Sequence, residues 1–259
     1  MLDPVRHGTA AEAATTALFE AICDGSIPPG THLRLQELAD QLGLSMMPVR
    51  EAIRQLAAMD LVDLEPHKGA RVRSMTLEDL GDTYQTRFLL EGAAVRNAAT
   101  RFTTEDERVA RAALEDRARY LESGEHRLAR DAHERFHFTL YEASGNAWLV
   151  RSILPLWRNS ERYRLESFRH PEMAVQRARE HEEILAAVVA GNGQLAEKRL
   201  VQHLTSSMEI VTESLEERGQ PELAGRISGP GAESGAIRYA NAPCREGTAY
   251  IGARSARDG

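Results

Sequence analysis

Four of the nine histidines have spacings that suit shared chemistry: His133, His137, His181 and His203. The first two bracket the string "HERFH", four residues apart. On a helix that spacing puts both imidazoles on one face, and two imidazoles one turn apart can share a metal ion. The second two flank the break "AGNG", whose centre is Asn192. His181 lies eleven residues before Asn192 and His203 eleven after it. If both flanks are helical and antiparallel, the two rings sit at the same height, about 16 Å from the turn at 1.5 Å per residue. A helix carrying His133 and His137 against that hairpin would gather four imidazoles in a bundle, as bundle metal sites are built. Taken singly, each histidine is equally well a surface residue or a hydrogen-bonded core residue.

Such a site needs helices to hold it, and from Thr76 to about Arg218 the pattern is helical throughout. Apolar residues recur three and four apart, as in Leu77, Leu80, Tyr84, Phe88 and Leu89. Capping and break signals divide the stretch: Thr103 or Thr104 before acidic residues, "SGN" at 144–146, "HP" at 170–171 and "AGNG" at 190–193. The spacing predicts about six helices and no strand. Residues 219–259 are rich in Gly, Ala, Ser and Pro without a sustained period, so we expect a disordered tail.

Residues 1–75 are organised differently. "LQELADQL" at 35–42 reads as a short amphipathic helix broken by Gly43. Ser45 is placed to N-cap a second helix, "MMPVREAIRQLAAM", whose Pro48 falls in the first turn, where its missing N–H is not needed. Two short helices around a tight turn make a helix-turn-helix, packed by Leu38, Ala39, Leu42, Val49, Ile53 and Leu56. Arg50 and Arg54 share one face of the second helix, the geometry for a major groove. "LVDLEPHKGARVR" follows as two short strands around a turn, a wing made basic by His67, Lys68, Arg71 and Arg73. Gly69 there allows a close backbone approach to phosphate or a minor groove.

Bulk properties set limits. The chain has 259 residues and a formal net charge of −7, so affinity for nucleic acid would have to come from local placement. Residues 1–75 alone carry seven bases against ten acids. Two cysteines, Cys23 and Cys244, without metal-type spacing suit a reducing compartment and exclude a disulfide scaffold. No apolar run approaches a membrane span, and the N-terminus lacks a signal-peptide core. The expectation is a cytoplasmic protein with no membrane partner.

The string "GSIPPGTHLRLQELADQLGLSMMPVREAIRQLAAMDLVDLEPHKGARV" resembles the winged helix-turn-helix of the GntR family of bacterial transcription regulators. The resemblance rests on Gly25, Pro29-Gly30, Leu33, Leu38-Ala39, Leu42-Gly43, Ser45, the run Pro48 to Ala52, Leu56 and Gly69. It implies that Arg50 reads bases, that Gly69 lies near the minor groove and that Arg34 contacts phosphate. Ser45, Arg54 and Lys68 complete the DNA-binding set. Met46 stands where the family usually has Arg, which implies the loss of one DNA contact.

Residues 76–212 resemble the all-helical FCD effector domain of the FadR branch of that family. The carrying strings are "RFLLE", "RFHFTLYEASGN", "REHEEILAAVVAGN" and "AEKRLVQHL". The resemblance implies a divalent metal, Zn or Ni, on positions 133, 137, 181 and 203. Position 133 is His here, where relatives use Asp or Asn. It also implies a small carboxylate effector completing the metal's coordination, held by an Arg near the first helix. Arg87 is the candidate; an ion pair with Glu91 four residues on is the alternative. Arg158 and Arg162, in "LWRNSERYR", are further candidates for the cavity, with Arg162 carried forward as effector-binding.

The combined reading is a mainly α chain: a winged helix-turn-helix over 1–75, an antiparallel helical bundle over 76–218 and the tail. It would act as a homodimeric repressor on a pseudo-palindromic double-stranded operator, its affinity modulated by metal and organic acid. Two alternatives stand beside it: a sensor in which the metal itself is the signal, and a metallohydrolase. The second lacks a carboxylate placed as a general base beside the ligands.

Overall fold

The computed structural model describes residues 9–65, 69–168 and 173–217, with side chains over 164–168 outside the description. The expected tail beyond 218, the break at 170–171 and the wing residues His67 and Lys68 lie outside the described residues.

Two apolar clusters form. The first gathers α1 (Ala10–Cys23), α2 (Leu35–Leu42), α3 (Met46–Ala58) and a three-stranded sheet. A capping box between Thr9 and Glu12 starts α1. Leu18 and Ile22 of α1 meet Val49, Ala52, Ile53 and Leu56 of α3, all buried. α2 ends at Gly43, whose left-handed backbone (φ 64°) turns the chain tightly into α3.

The sheet holds β1 (His32–Leu33), β2 (Val62–Glu65) and β3 (Gly69–Val72) in the order β1-β3-β2. The β2–β3 hairpin pairs Val62 with Val72 and Glu65 with Gly69, as the alternation predicts. β1 was not expected; two residues carry too short a pattern to announce a strand, and pairing of His32 with Arg71 makes it one.

The second cluster is built by α4 (Leu77–Ala98), α5 (Thr104–Glu122), α6 (His126–Glu142), α7 (Ala147–Phe168), α8 (Ala174–Val189) and α9 (Gly193–Glu217). Thr76 and Thr103 cap α4 and α5 through their side chains. α4 is central: Leu80, Tyr84, Arg87, Glu91, Ala94, Val95 and Ala98 form a buried stripe three and four apart. Leu89 departs from that stripe; it is 73% exposed. α4 packs on α9, α5 on α6, and α8 on α9. α9 starts tight against α4, because a Cβ on Gly193 would stand 2.6 Å from the Arg96 carbonyl oxygen.

α7 ties the helical cluster to the first one. The buried Arg162 donates from Nη1 to the carbonyls of Arg73 (3.2 Å) and Ser74 (3.4 Å), and from Nη2 to Asp79 Oδ2 (2.5 Å). Tyr163 donates its hydroxyl proton to the same Asp79 oxygen at 2.6 Å. Asn159 donates to the carbonyls of Met59 and Asp60, which end α3. Arg130 of α6 pairs with Glu20 of α1, and the Arg158 guanidinium lies 5.5 Å over the Phe19 ring.

The sequence expected Arg162 in the effector cavity; the structure puts it at this junction instead. Its two terminal nitrogens are engaged by the carbonyls of the β3–α4 connection, by Asp79 in the first turn of α4 and by Asn159. Arg162→Ala is predicted to destabilise the chain by about 3 kcal/mol, the scale of breaking a buried pair from one side. A lower midpoint in urea denaturation is the expected result.

Candidate functional site

α6 presents His133 and His137 one turn apart, and the α8–α9 hairpin brings His181 and His203 across from each other, their ring centroids 4.5 Å apart. The Nε2 atoms of His133, His137 and His181 form a triangle with every side 3.1 Å. Ligand atoms of all four histidines lie within 4.8 Å of one another. His137, His181 and His203 are buried; His133 is half-buried. Trp157 packs against the His133 and His137 rings at 5.4 and 5.0 Å.

Partners behind the rings select the tautomers. Tyr141 gives its hydroxyl proton to Glu91 Oε2 at 2.5 Å, so its oxygen accepts from His137 Nδ1–H at 3.0 Å. Glu180 Oε2 accepts from His203 Nδ1–H at 2.8 Å. With Nδ1 protonated, Nε2 carries the lone pair, and a neutral imidazole in that form is a metal ligand. His181 Nδ1 faces the Arg177 backbone one turn back without reaching hydrogen-bond geometry.

Electrostatics disfavour a charge on His181 and His203. His181 is pushed well below the usual histidine range by burial, then by its neighbours His203, His137 and Arg117. His203 is lowered by burial; Glu180 opposes the shift, and Arg87 and Arg117 reinforce it. Glu180 itself is held below the usual carboxylate range: burial works against this, and His203, Gln176 and Arg177 together outweigh it.

Arg87 makes the ion pair with Glu91, through Nε at 2.6 Å with both residues buried, and also lines the cavity over the histidines. Burial opposes its charge, but Glu91 with Tyr84 and Tyr141 outweighs burial and holds it above the ordinary arginine value. Arg158 instead pairs with Glu134 at 2.8 Å.

Sequence reasoning missed Arg117, Arg130, Arg177, Glu180 and Tyr141. Four of these carried a signal. Tyr141 is four after His137, Arg130 three before His133 and Arg177 four before His181, all same-face spacings. Glu180 is nearly mirrored about Asn192 from His203. Arg117 sits on α5, and no local spacing links it to the cluster.

The face of α3 away from its core is open. Ser45, Met46, Met47, Arg50 and Arg54 are exposed, while Val49, Ala52, Ile53 and Leu56 are buried beneath them. Ser45 occupies the N-cap position, exposed and without a side-chain capping bond. Arg54 lies 3.8 Å from Glu51 and Arg34 2.9 Å from Glu37, both as exposed pairs. Gly69 is exposed with φ 96°, a backbone that side-chain-bearing residues rarely adopt. Lys68 lies outside the described residues.

The wing is less basic in effect than its sequence. Arg71 is engaged by Glu65, the Gly30 carbonyl and His32. Arg73 is held by Asp60 at 3.0 Å and stands 3.9 Å from Asp63 and Asp79. These arginines brace the sheet from within the wing.

Residues 10–72 match the family described as "Bacterial regulatory proteins, gntR family", and residues 82–206 match the FCD domain. The "Probable D-xylose utilization operon transcriptional repressor" of Paenarthrobacter nicotinovorans is 33% identical over 207 residues, covering 80% of this chain and 90% of that protein. This chain belongs to the GntR family, in the branch with an FCD domain. The HTH-type transcriptional regulator LutR of Bacillus subtilis (strain 168) is 30% identical, with 77% of this chain and all of LutR covered. The solved structure of E. coli McbR/YncC shares the fold, with a TM-score of 0.70 at 22% identity over 81% of this chain and 100% of that one. This GntR-family chain is therefore a DNA-binding transcription regulator, and the metallohydrolase alternative falls. None of its described helices is long and apolar enough to cross a membrane.

The Arg87–Glu91–Tyr141–His137 chain makes a paired prediction. Tyr141→Phe leaves a buried carboxylate oxygen and a buried imidazole N–H each short of a partner, and is expected to cost about 1–3 kcal/mol. Tyr84→Phe removes a buried hydroxyl with no hydrogen-bond partner and is expected to be neutral or stabilising. Thermal melts of the two isosteric variants, compared with the parent, check both signs.

Proposed function

We propose that this regulator holds a divalent metal on His133, His137, His181 and His203 and represses transcription until a small carboxylate reaches that metal. The supporting observation is the 3.1 Å triangle of Nε2 atoms whose lone pairs converge. At a metal–nitrogen distance of about 2.1 Å, nitrogens 3.1 Å apart subtend roughly 95° at the ion. That angle is closer to an octahedral face than to a tetrahedron, and a six-coordinate ion on four imidazoles keeps positions for an effector. An all-imidazole donor set suits Zn, Ni or Cu over Mn; Zn or Ni is our assignment.

On the DNA side, Arg50 and Arg54 read base edges from the exposed face of α3. Arg34, Ser45, Lys68 and the Gly69 backbone position the sugar-phosphate chain. Two copies, dimerised through the helical region, place their recognition helices in successive major grooves of a pseudo-palindromic operator in the cytoplasm. Arg130 belongs to both halves of the device: it lines the histidine cavity and pairs with Glu20 of α1. An anion in the cavity competes with Glu20 for Arg130. It thereby favours a different placement of the DNA-binding helices, by no more than its differential affinity for the two states.

One observation favours a second reading. Four imidazoles are enough to saturate a four-coordinate ion, in which case the metal alone is the signal. Operator binding followed by fluorescence anisotropy separates the two. With metal as cofactor, chelation abolishes release by organic acids and leaves the fold and operator binding intact. With metal as signal, the ion alone titrates operator affinity.

Arg50→Ala is expected to weaken operator binding about 10- to 100-fold at matched salt, the worth of one bidentate base contact. Affinity equal to wild type would end the assignment of α3 as the recognition helix.

A further inference from the structure

Arg117 of α5 and Arg177 of α8 line the same cavity as the four histidines, and each is only 9% exposed. Two of the arginines of that lining are paired with carboxylates, Arg87 with Glu91 and Arg130 with Glu20. Among the described residues, Arg117 has neither a carboxylate partner nor a hydrogen-bond acceptor. A buried cation without a counter-charge is costly, and a like-charged neighbour adds to the cost. The strain is visible in Arg117, which burial and then the Arg177 charge push down to about 10. Glu161 is the one carboxylate among the lining residues, against four guanidiniums. A divalent ion on neutral imidazoles brings its whole charge into this cavity as well. The free space is small, about 40 Å³.

We propose that the effector is a compact dicarboxylate, with one carboxylate on the metal and the other on the guanidinium of Arg117, seconded by Arg177. The inference rests on the metal–carboxylate reading above and adds a second anionic subsite to it. Charge decides the class: a monocarboxylate leaves Arg117 bare, whereas a second carboxylate accepts its N–H groups in the forked geometry that guanidinium favours. Size sets the scale: with about 40 Å³ free, the shortest diacids demand the least rearrangement of the lining.

The test is calorimetric titration of the full-length, metal-loaded protein with acids matched in carbon number: succinate against butyrate, and malonate against propionate. Metal content is measured after each titration, because diacids also chelate. The expected result is diacid binding at least about tenfold tighter than its monoacid partner, the gain from a charge-assisted pair. Arg117→Gln is expected to bring the diacid down to the monoacid's affinity and leave the monoacid unchanged, with Arg117→Lys in between.

A second readout separates binding from folding. Without ligand, Arg117→Gln should melt at or above the wild-type temperature, because it removes an uncompensated buried charge. A clearly lower melting temperature would make Arg117 a structural residue and overturn the proposal. Equal affinities within each acid pair, or wild-type diacid binding by Arg117→Gln, would overturn the subsite and leave the metal–carboxylate reading standing. Failure of both acid series to bind metal-loaded protein would count against that reading itself, and the subsite would fall with it.

Discussion

Three imidazole nitrogens mutually 3.1 Å apart cannot all hydrogen-bond to one another, because each is either donor or acceptor and one of the three contacts must pair like with like. A neutral imidazole has one N–H, and Tyr141 and Glu180 already engage those of His137 and His203 at Nδ1. The lone pairs that remain are aimed at a common centre. A proton could relieve one contact, but burial and the nearby guanidiniums of Arg87 and Arg117 oppose protonation. A cation that accepts several lone pairs at once would resolve the conflict, and four helices bring the groups of the cluster together. α6 supplies the pair one turn apart, α8 and α9 supply the facing pair, and α4 supplies the Arg87–Glu91 couple that holds Tyr141.

The same region reaches the DNA-binding helices through charged groups. α7 packs Trp157 on the histidine rings, and two residues later Asn159 bonds the carbonyls that end α3. Arg162, one further turn along, grips the connection between β3 and α4. α6 does likewise: His133 faces the cluster and Arg130 holds Glu20 of α1. Packed helices shift as units, so a change at the cluster has two short routes to the recognition helix. An arginine that looks from sequence like a cavity residue is, in Arg162, part of this joint.

The winged helix-turn-helix and the six-helix stretch were legible because their signals are local. Gly43 in a left-handed turn, Thr103 in its capping box and the 3.6-residue stripe of α4 each act within a few residues. The histidine cluster was legible for a rarer reason: Asn192 marks a hairpin, and hairpin symmetry turns sequence distance into spatial register. What stayed hidden depends on contacts between distant segments. β1 is a strand only through β3, Leu89 points outward although its neighbours form a core stripe, and Arg71 and Arg73 are absorbed by acids spread over residues 60–79. Arg117 reaches the site from a helix with no spacing relation to any histidine.

The central claim is that the four histidines converge on a metal ion. X-ray absorption at the metal edge of the purified, metal-loaded protein measures this most directly. The account predicts nitrogen neighbours at about 2.1 Å and the strong outer-shell scattering of several imidazoles, diminished in His181→Ala. A spectrum of a hydrated ion without imidazole scattering, unchanged by His181→Ala, would contradict it.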